Sequence, residues 1–442
     1  MVMPLVPRHL RQRIEGSLDA YRVVVLHGAR QSGKSTLARL VASERGGAYT
    51  SLDDDATRQA AVADPRGFLL DQRHPLVVDE VQLGGDRLVR ALKQIVDLDP
   101  TPGRFLLTGS TNFLTVPTIS ESLAGRARIL RLWPLSQAED AGADAHAVVR
   151  WFDGGPPAER RMAARHDHDA GTAAASGSQA RCLGRRDYME LVCRGGYPEV
   201  LRLPAAMRRG WFQSYAETVI ERDVLALGDL RRRAALPLLL EWLAASTGSE
   251  LNLQTVSSRL GLDRATLASY LAWMETVFLV HRLQAWSRNP AARPVRRPKV
   301  HITDTGLAAG LLGLDPEALT VPTAPAAGPL LESFVANEIT RQIAASEDGL
   351  RLYHCRDHQG HEIDLIVERP GGAVVAVEVK ATSSPSITQL QHVAWLRDRL
   401  DSVSPDAFRA GVLLHTGDQY FAVGDRLHVR PIESLWAQRD AP

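Results

Sequence analysis

The sequence predicts an α/β chain in successive parts: a doubly wound parallel sheet first, a helical middle, and a smaller α/β unit last. Three observations predict it. Apolar runs of buried-strand length, Val23–Leu26, Leu76–Val78 and Phe105–Leu107, alternate with helical patterns, as in a parallel sheet covered on both faces. Helical periodicity then holds from Arg186 to Leu243. The end of the chain reads helix (330–343), strands (363–367 and 374–379), helix (388–400) and strand (411–415). A length of 442 residues suits about three domains.

In order, residues 1–20 read as a short amphipathic helix within a first domain, 1–140. Residues 141–180 shift to Ala, Gly, Asp, His and Arg, which predicts a flexible insertion. His146, His166 and His168 read there as a solvated loop rather than a metal site. A helical segment (181–245), a compact helix-turn-helix unit (246–314), a Pro- and Ala-rich linker (315–329) and a last domain (330–442) follow. A hydrophobic fraction of 45% with net charge +1 excludes a basic nucleic-acid coat, so any nucleic-acid contact must come from local patches. The start is too quickly charged for a signal peptide, and Pro237 and Glu241 interrupt the longest apolar stretch, so no membrane span is expected. Cys182, Cys193 and Cys355 form no CxxC pair, which fits a reducing cytoplasm.

Gly28, Ala29, Arg30, Gln31, Ser32, Gly33, Lys34 and Ser35 match GxxxxGK[ST] between a strand and a helix that continues through Thr36. Such glycines let backbone N–H groups turn inward around a phosphate at a helix N-terminus. The pattern predicts ATP as ligand, with Lys34 on the β- and γ-phosphates and the Ser35 hydroxyl on Mg²⁺. The strand Pro75–Val78 ends in Asp79 and Glu80. After a phosphate loop, Asp79 is expected in the Mg²⁺ shell and Glu80 as the group polarising the attacking water, rather than as a helix cap. Lysine is scarce: Lys34, Lys93, Lys299 and Lys380 are all there are. A lysine kept where arginine is the habit hints at a compact ammonium needed at a point.

Within 251–276, Leu253, Val256, Leu260, Leu262, Leu267 and Leu271 predict two crossed helices, with Gly261 in the turn and Asp263 capping the second. A strand-like run and an Arg-rich segment follow, the layout of a winged helix. As a DNA reader it would present Arg264, Thr266, Ser269 and Tyr270 to a groove, and Arg288, Arg293, Arg296, Arg297 and Lys299 to phosphates. As a scaffold it would only bind protein.

In the last domain, Glu378 and Lys380 share one face of a strand, and a neighbouring strand brings Asp364 beside Glu378. Glu332 on the preceding helix completes a carboxylate set for Mg²⁺. Asp, then ExK on the next strand, is the PD-(D/E)xK nuclease pattern, in which Lys380 orients water or stabilises transition-state charge.

The third strand ends in Thr108-Gly-Ser110-Thr111-Asn112, and there the first domain resembles an AAA-type ATPase with a polar sensor. Ser110 is the expected sensor. Arg126 is a candidate arginine finger, which would require a homo-oligomer. LHGARQSGKSTLARL, PLVVDEVQ, LLTGSTN, SLAGR, RGGYPEV, YAETVIERDV, PKVHITDTGLAAGLL and EIDLIV…VEVK together resemble a bacterial and archaeal family of AAA-type ATPases. That resemblance implies a P-loop AAA-type sheet domain, a winged helix and a restriction-endonuclease-like C-terminal α/β domain. Ala29 departs from the proline frequent in that family. The function expected is ATP binding and hydrolysis acting on DNA. The alternative is a nucleotide-dependent switch or transcriptional regulator whose last domain binds a protein partner without cleavage.

Overall fold

The computed structural model describes residues 5–109, 123–144, 146–154, 182–225, 232–293, 296–404 and 406–437. Helix α1 (Leu10–Ala20) leads into β1 (Val23–Gly28). Then come α2 (Lys34–Glu44), β2 (Ala48–Ser51), α3 (Asp55–Ala63), α4 (Pro65–Leu70), β3 (Leu76–Asp79), α5 (Gly85–Leu98), β4 (Phe105–Gly109) and β5 (Ala127–Leu132). The five strands form one parallel sheet in the order β2-β3-β4-β1-β5. Val24 faces Leu106 on one side and Arg128 on the other. Separate apolar cores cover the two faces, one around Val23, Leu76 and Leu92, the other around Ile14, Val24 and Val41. The three central strands are fully buried, so they read as apolar runs. The edge strands β2 and β5 are only partly buried, and no apolar run marked them.

The middle holds α6 (Gln137–Asp140), α7 (Ala147–Gly154), α8 (Arg185–Arg194), α9 (Pro198–Leu201) and α10 (Ala205–Thr218), the last continuing into a π-helical turn at Val219–Val224. After α11 (Ala235–Ala245) come β6 (Ser249–Glu250), α12 (Leu253–Leu260), α13 (Arg264–Thr276), β7 (Val280–Leu283) and β8 (Lys299–Ile302), the strands in antiparallel order β6-β8-β7. Gly261 takes the left-handed turn at φ 61°, and the Asp263 carboxylate accepts from the Thr266 N–H. Helices α14 (Thr305–Leu312), α15 (Pro316–Thr320) and α16 (Ala327–Ala345) lead to a six-stranded sheet. It comprises β9 (Arg351–Arg356), β10 (Glu362–Glu368), β11 (Val374–Lys380), then α17 (Gln391–Asp401), β12 (Phe408–His415), β13 (Phe421–Ala422) and β14 (Leu427–Pro431). Its order is β13-β14-β12-β11-β10-β9.

The sequence reading needs correcting at three places. Residues 147–154 of the expected flexible insertion are α7, whose Val148, Trp151 and Phe152 are buried against β11, β12 and α16; residues 155–181, with His166 and His168, lie outside the described residues. The expected linker contains α15, with Leu319 and Ala327 buried. The Arg185 guanidinium fixes it by donating to the Leu319, Thr320 and Val321 carbonyls. Finally, the middle and one face of the last domain's sheet share a core, while the other face keeps its own around Ile366, Leu396 and Val429. One apolar cluster runs from Ala138 through Phe212, Leu271 and Ile339 to Trp436.

Candidate functional site

Strand order decides which residues meet at the first site. With β1 beside β4 and β4 beside β3, the C-terminal ends of β1 and β3 open onto the same edge, the usual place for a ligand in an open parallel sheet. The loop after β1 needs its glycines. A Cβ on Gly28 would lie 2.0 Å from the Leu132 carbonyl oxygen of β5, and Gly33 sits at φ 93°. Lys34 begins α2 and is 5% exposed, its ammonium donating to the Gly28 and Ala29 carbonyls at 3.0 and 2.8 Å. Burial pushes its pKa down to about 8, against the attraction of Glu80 and Asp79. The Ser32 hydroxyl is fully buried and has no hydrogen-bond partner among the described residues.

A cavity of about 590 Å³ opens over this loop, lined by Arg30, Gln31, Gly33, Lys34, Ser35, Thr36 and Glu80 among others. Leu5, Val6, Pro7, Leu40, Pro198 and Leu201 line it too, together with Arg11, Glu199 and Arg202. A phosphate-loop pattern beside apolar and charged groups suits a nucleotide. Asp79 lies behind the loop, 4% exposed. One of its oxygens accepts from the Tyr49 hydroxyl at 2.6 Å and the other from the Thr108 hydroxyl. That holds the carboxylate at the strand end with lone pairs left for a Mg²⁺ shell.

Of two further expected residues, one falls outside the described residues and the other is placed away from the cavity. Ser110 lies outside the described residues, and the polar β4 residue on Asp79 is Thr108. Arg126 does not line this chain's cavity; its guanidinium is held by both oxygens of Asp97 on α5, at 2.5 and 3.0 Å.

Two arginines not expected to be structural prove central. Arg8 donates to the Ser32 and Trp133 carbonyls, each at 2.7 Å, and to Glu139 at 3.0 Å. Arg30 donates to both oxygens of Asp223 in the π-helical turn, at 2.9 and 3.0 Å. Its own carbonyl accepts from the Tyr215 hydroxyl. Arg30 stands out in the sequence only as a member of the phosphate loop, and Arg8 has no distinguishing local signal, although YAETVIERDV and RGGYPEV mark the segments that meet the loop.

The second site lies on the C-terminal sheet. The antiparallel register Leu365↔Val377 sets Asp364 beside Glu378 one step further on. Asp364 accepts from the Val379 N–H at 2.9 Å, and the Lys380 ammonium lies 2.5 Å from Glu378 and 3.9 Å from Asp364. Burial and the charge of Asp364 push the carboxyls of Glu332 and Glu378 above the usual carboxylate range.

Here too the structure departs from expectation. Glu332 is bonded to Lys299 at 2.9 Å, and that ammonium also lies 3.2 Å from Glu362 and 3.8 Å from Asp364. Burial disfavours the Lys299 ammonium, but Glu332, Asp364 and Glu362 outweigh it and raise its pKa. The expected metal set of Glu332, Asp364 and Glu378 is therefore drawn toward two lysines. Among the described residues no three His, Cys, Asp or Glu side chains are grouped as a metal site.

Lys299 is 2% exposed and so cannot serve phosphates from a wing. Arg293 is likewise committed, to both oxygens of Glu368 at 2.7 and 2.8 Å, and Arg296 to the Arg356 carbonyl. On α13, Tyr270 is buried at 2% exposure, while Arg264 and Ser269 are exposed.

Comparison with known proteins bears on the first site most directly. Residues 20–140 match the AAA domain. The N-terminal domain is thus similar to AAA-type P-loop ATPase domains. Residues 185–318 and 327–435 each match a domain of unknown function (DUF8612 and DUF4143). Uncharacterized proteins of Mycobacterium bovis and Mycobacterium tuberculosis are each 28% identical over 430 residues, 97% of this chain and 84% of theirs.

Among solved structures, the Walker-type ATPase of Pyrococcus abyssi is 15% identical, covering 71% of this chain and 99% of its own, at TM-score 0.39. The Holliday junction branch migration motor RuvB of Thermotoga maritima is 16% identical, covering 62% and 88%, at TM-score 0.29. Likenesses this loose carry no argument. The ATPase domain supports ATP binding and hydrolysis, with Mg²⁺ as the usual companion. Among the described residues no helix is long and apolar enough to cross a membrane.

Proposed function

We propose that this protein is an ATP-hydrolysing switch, in which nucleotide at the P-loop alters how the helical middle and the C-terminal sheet sit on the ATPase domain. The observation that carries this is the Arg30–Asp223 contact. Arg30 lies within the phosphate loop, and both its bonds go to a π-helical turn of the middle segment. Charge-assisted pairs of this kind are strong and directional, and π-helical turns recur at functional points. A phosphate competing for Arg30 would release the turn.

The test is hydrogen exchange with and without a non-hydrolysable ATP analogue. Exchange over residues 205–224 and 277–302 should change in the wild type. In Asp223→Asn it should stay flat while the analogue still binds. An unchanged wild-type pattern, with the analogue bound, would sink the proposal.

A second reading is that the chain cuts DNA. It is supported by the close approach of Asp364, Glu378 and Lys380. The residues fit Mg²⁺ in part, since the buried Glu378 Oε2 has no hydrogen-bond partner among the described residues. Bound there, a divalent cation would supply Lewis acidity for phosphodiester hydrolysis. Asp364 and Glu378 would hold it, and Lys380 would hold charge at the scissile phosphate. In this reading α12, α13 and the β7–β8 hairpin act as a winged helix, with Arg264, Ser269, Arg288 and Arg297 exposed toward DNA. Nicking of supercoiled plasmid with Mg²⁺ or Mn²⁺, lost in Lys380→Ala, is the outcome this reading requires. A trans-acting Arg126 in a homo-oligomer, which would first have to leave Asp97, and capture of a protein partner both remain compatible with the switch.

A further inference from the structure

We infer that Lys299 is a tethered counter-cation, which keeps the Glu332–Asp364–Glu378 cluster closed to divalent metal while β8 is seated on the C-terminal sheet. Lys299 opens β8 in the three-stranded unit, yet its ammonium is spent in the neighbouring sheet, 2.9 Å from Glu332, 3.2 Å from Glu362 and 3.8 Å from Asp364. A buried ammonium with three carboxylate neighbours fills the space and meets the charge that a bound cation would otherwise meet.

A separate observation points to a cation. Glu378 is 8% exposed, and its Oε2 has no hydrogen-bond partner among the described residues. The cluster thus contains a buried oxygen that neither lysine satisfies. Every acidic donor present is a carboxylate, so the matching ion is a hard one, Mg²⁺ or Mn²⁺.

Lys299 is also placed to be withdrawn. The β7–β8 hairpin is clasped to the C-terminal sheet by the Trp286 N–H on the His354 carbonyl and by Arg293 on Glu368. At its other end Phe278, at φ 62°, meets His27 with ring centroids 5.3 Å apart, one residue before Gly28 of the phosphate loop. The hairpin therefore spans the distance between the two sites, and a shift that unseats it takes Lys299 out of the cluster. The inference depends on the second reading above only in taking the cluster to accept a metal.

The test titrates Mn²⁺ alone into the full-length protein without nucleotide and follows free Mn²⁺ by electron paramagnetic resonance. Lys299→Met should bind Mn²⁺ at least tenfold more tightly than the wild type, and Lys299→Met/Asp364→Asn should lose that gain. A Lys299→Met protein that shows no cooperative melting transition without Mn²⁺ but gains one when Mn²⁺ is added supports the inference too. If Lys299→Met does not fold in either condition, Lys299→Gln takes its place in the same titration. Equal Mn²⁺ affinity in wild type and folded variant overturns the inference. Plasmid nicking separates the two readings: tighter Mn²⁺ binding without nicking removes the cleavage reading and leaves the latch, whereas nicking with unchanged affinity removes the latch alone.

Discussion

At Glu80 the backbone leaves β3 in the left-handed region, φ 53°, an uncommon conformation for a non-glycine residue that tends to persist at functional sites. The turn brings Glu80 to the cavity while Asp79, one residue earlier, stays behind the loop. Their roles should separate accordingly. Glu80→Gln keeps the size and loses the carboxylate expected to polarise the attacking water, so nucleotide titration should show binding retained, while phosphate release falls by roughly 10²–10⁴-fold. Lys34→Ala should weaken both.

These residues were legible because their motif specifies both residue type and spacing. The register of β10 and β11 was legible too, since alternation alone puts Glu378 and Lys380 on one face. What could not be read was which distant side chain would join them. Lys299 is rare as a lysine, yet its position in an Arg-rich run points to solvent. Three of the four lysines, Lys34, Lys299 and Lys380, stand at the two sites. Scarcity was a better guide than neighbourhood.

Among elements, α12 and α13 were readable because their ends are written in the sequence: Asn252 and Asp263 accept from the first-turn N–H groups, and Gly261 makes the turn. Tyr270 was misplaced because α13 buries Leu267, Tyr270, Leu271 and Met274, a stripe at i, i+3, i+4 and i+7 that includes the tyrosine. Helix α7 was missed for a different reason. It is eight residues long and adjoins low-complexity sequence, so composition outweighed its few apolar positions. Its stability comes from the surface it covers rather than from its own propensity. Trp151, 2% exposed, fills that contact, and Trp151→Ala should cost about 3–5 kcal/mol. Urea unfolding would show it as a lower midpoint; a midpoint within error of wild type would mean that α7 does not hold there in solution.

Over the whole molecule, the three-stranded unit is enclosed by imidazoles that the fold keeps neutral. Burial lowers His27 to about 3 and His281 and His354 to about 4, and drops His301 well below its ordinary value. A free histidine titrates near 6.5. Between about pH 6.5 and 4 these four imidazoles therefore bind more protons in the unfolded chain than in the folded one, and their contribution to stability falls as the pH drops through that window, partly opposed by the raised carboxyls of Glu332 and Glu378. His281 alone accounts for up to roughly 3 kcal/mol. Melting temperature should fall steeply from pH 6.5 to 4, and less so in His281→Gln; identical slopes would show that this seam opens before it is protonated. The continuous core explains why the domain boundaries were less legible than the motifs, since composition marks changes in sequence character and not the surfaces on which segments later meet. Helix α7 has a last consequence, for how the chain can be cut. The stretch matching the final domain starts at residue 327, but part of the floor beneath β11 and β12 is supplied by Val148, Trp151 and Phe152 from far upstream. A recombinant fragment begun at 327 would present that uncovered sheet to other molecules and associate through it, and co-expression with residues 136–154 should lessen that association by covering part of the sheet.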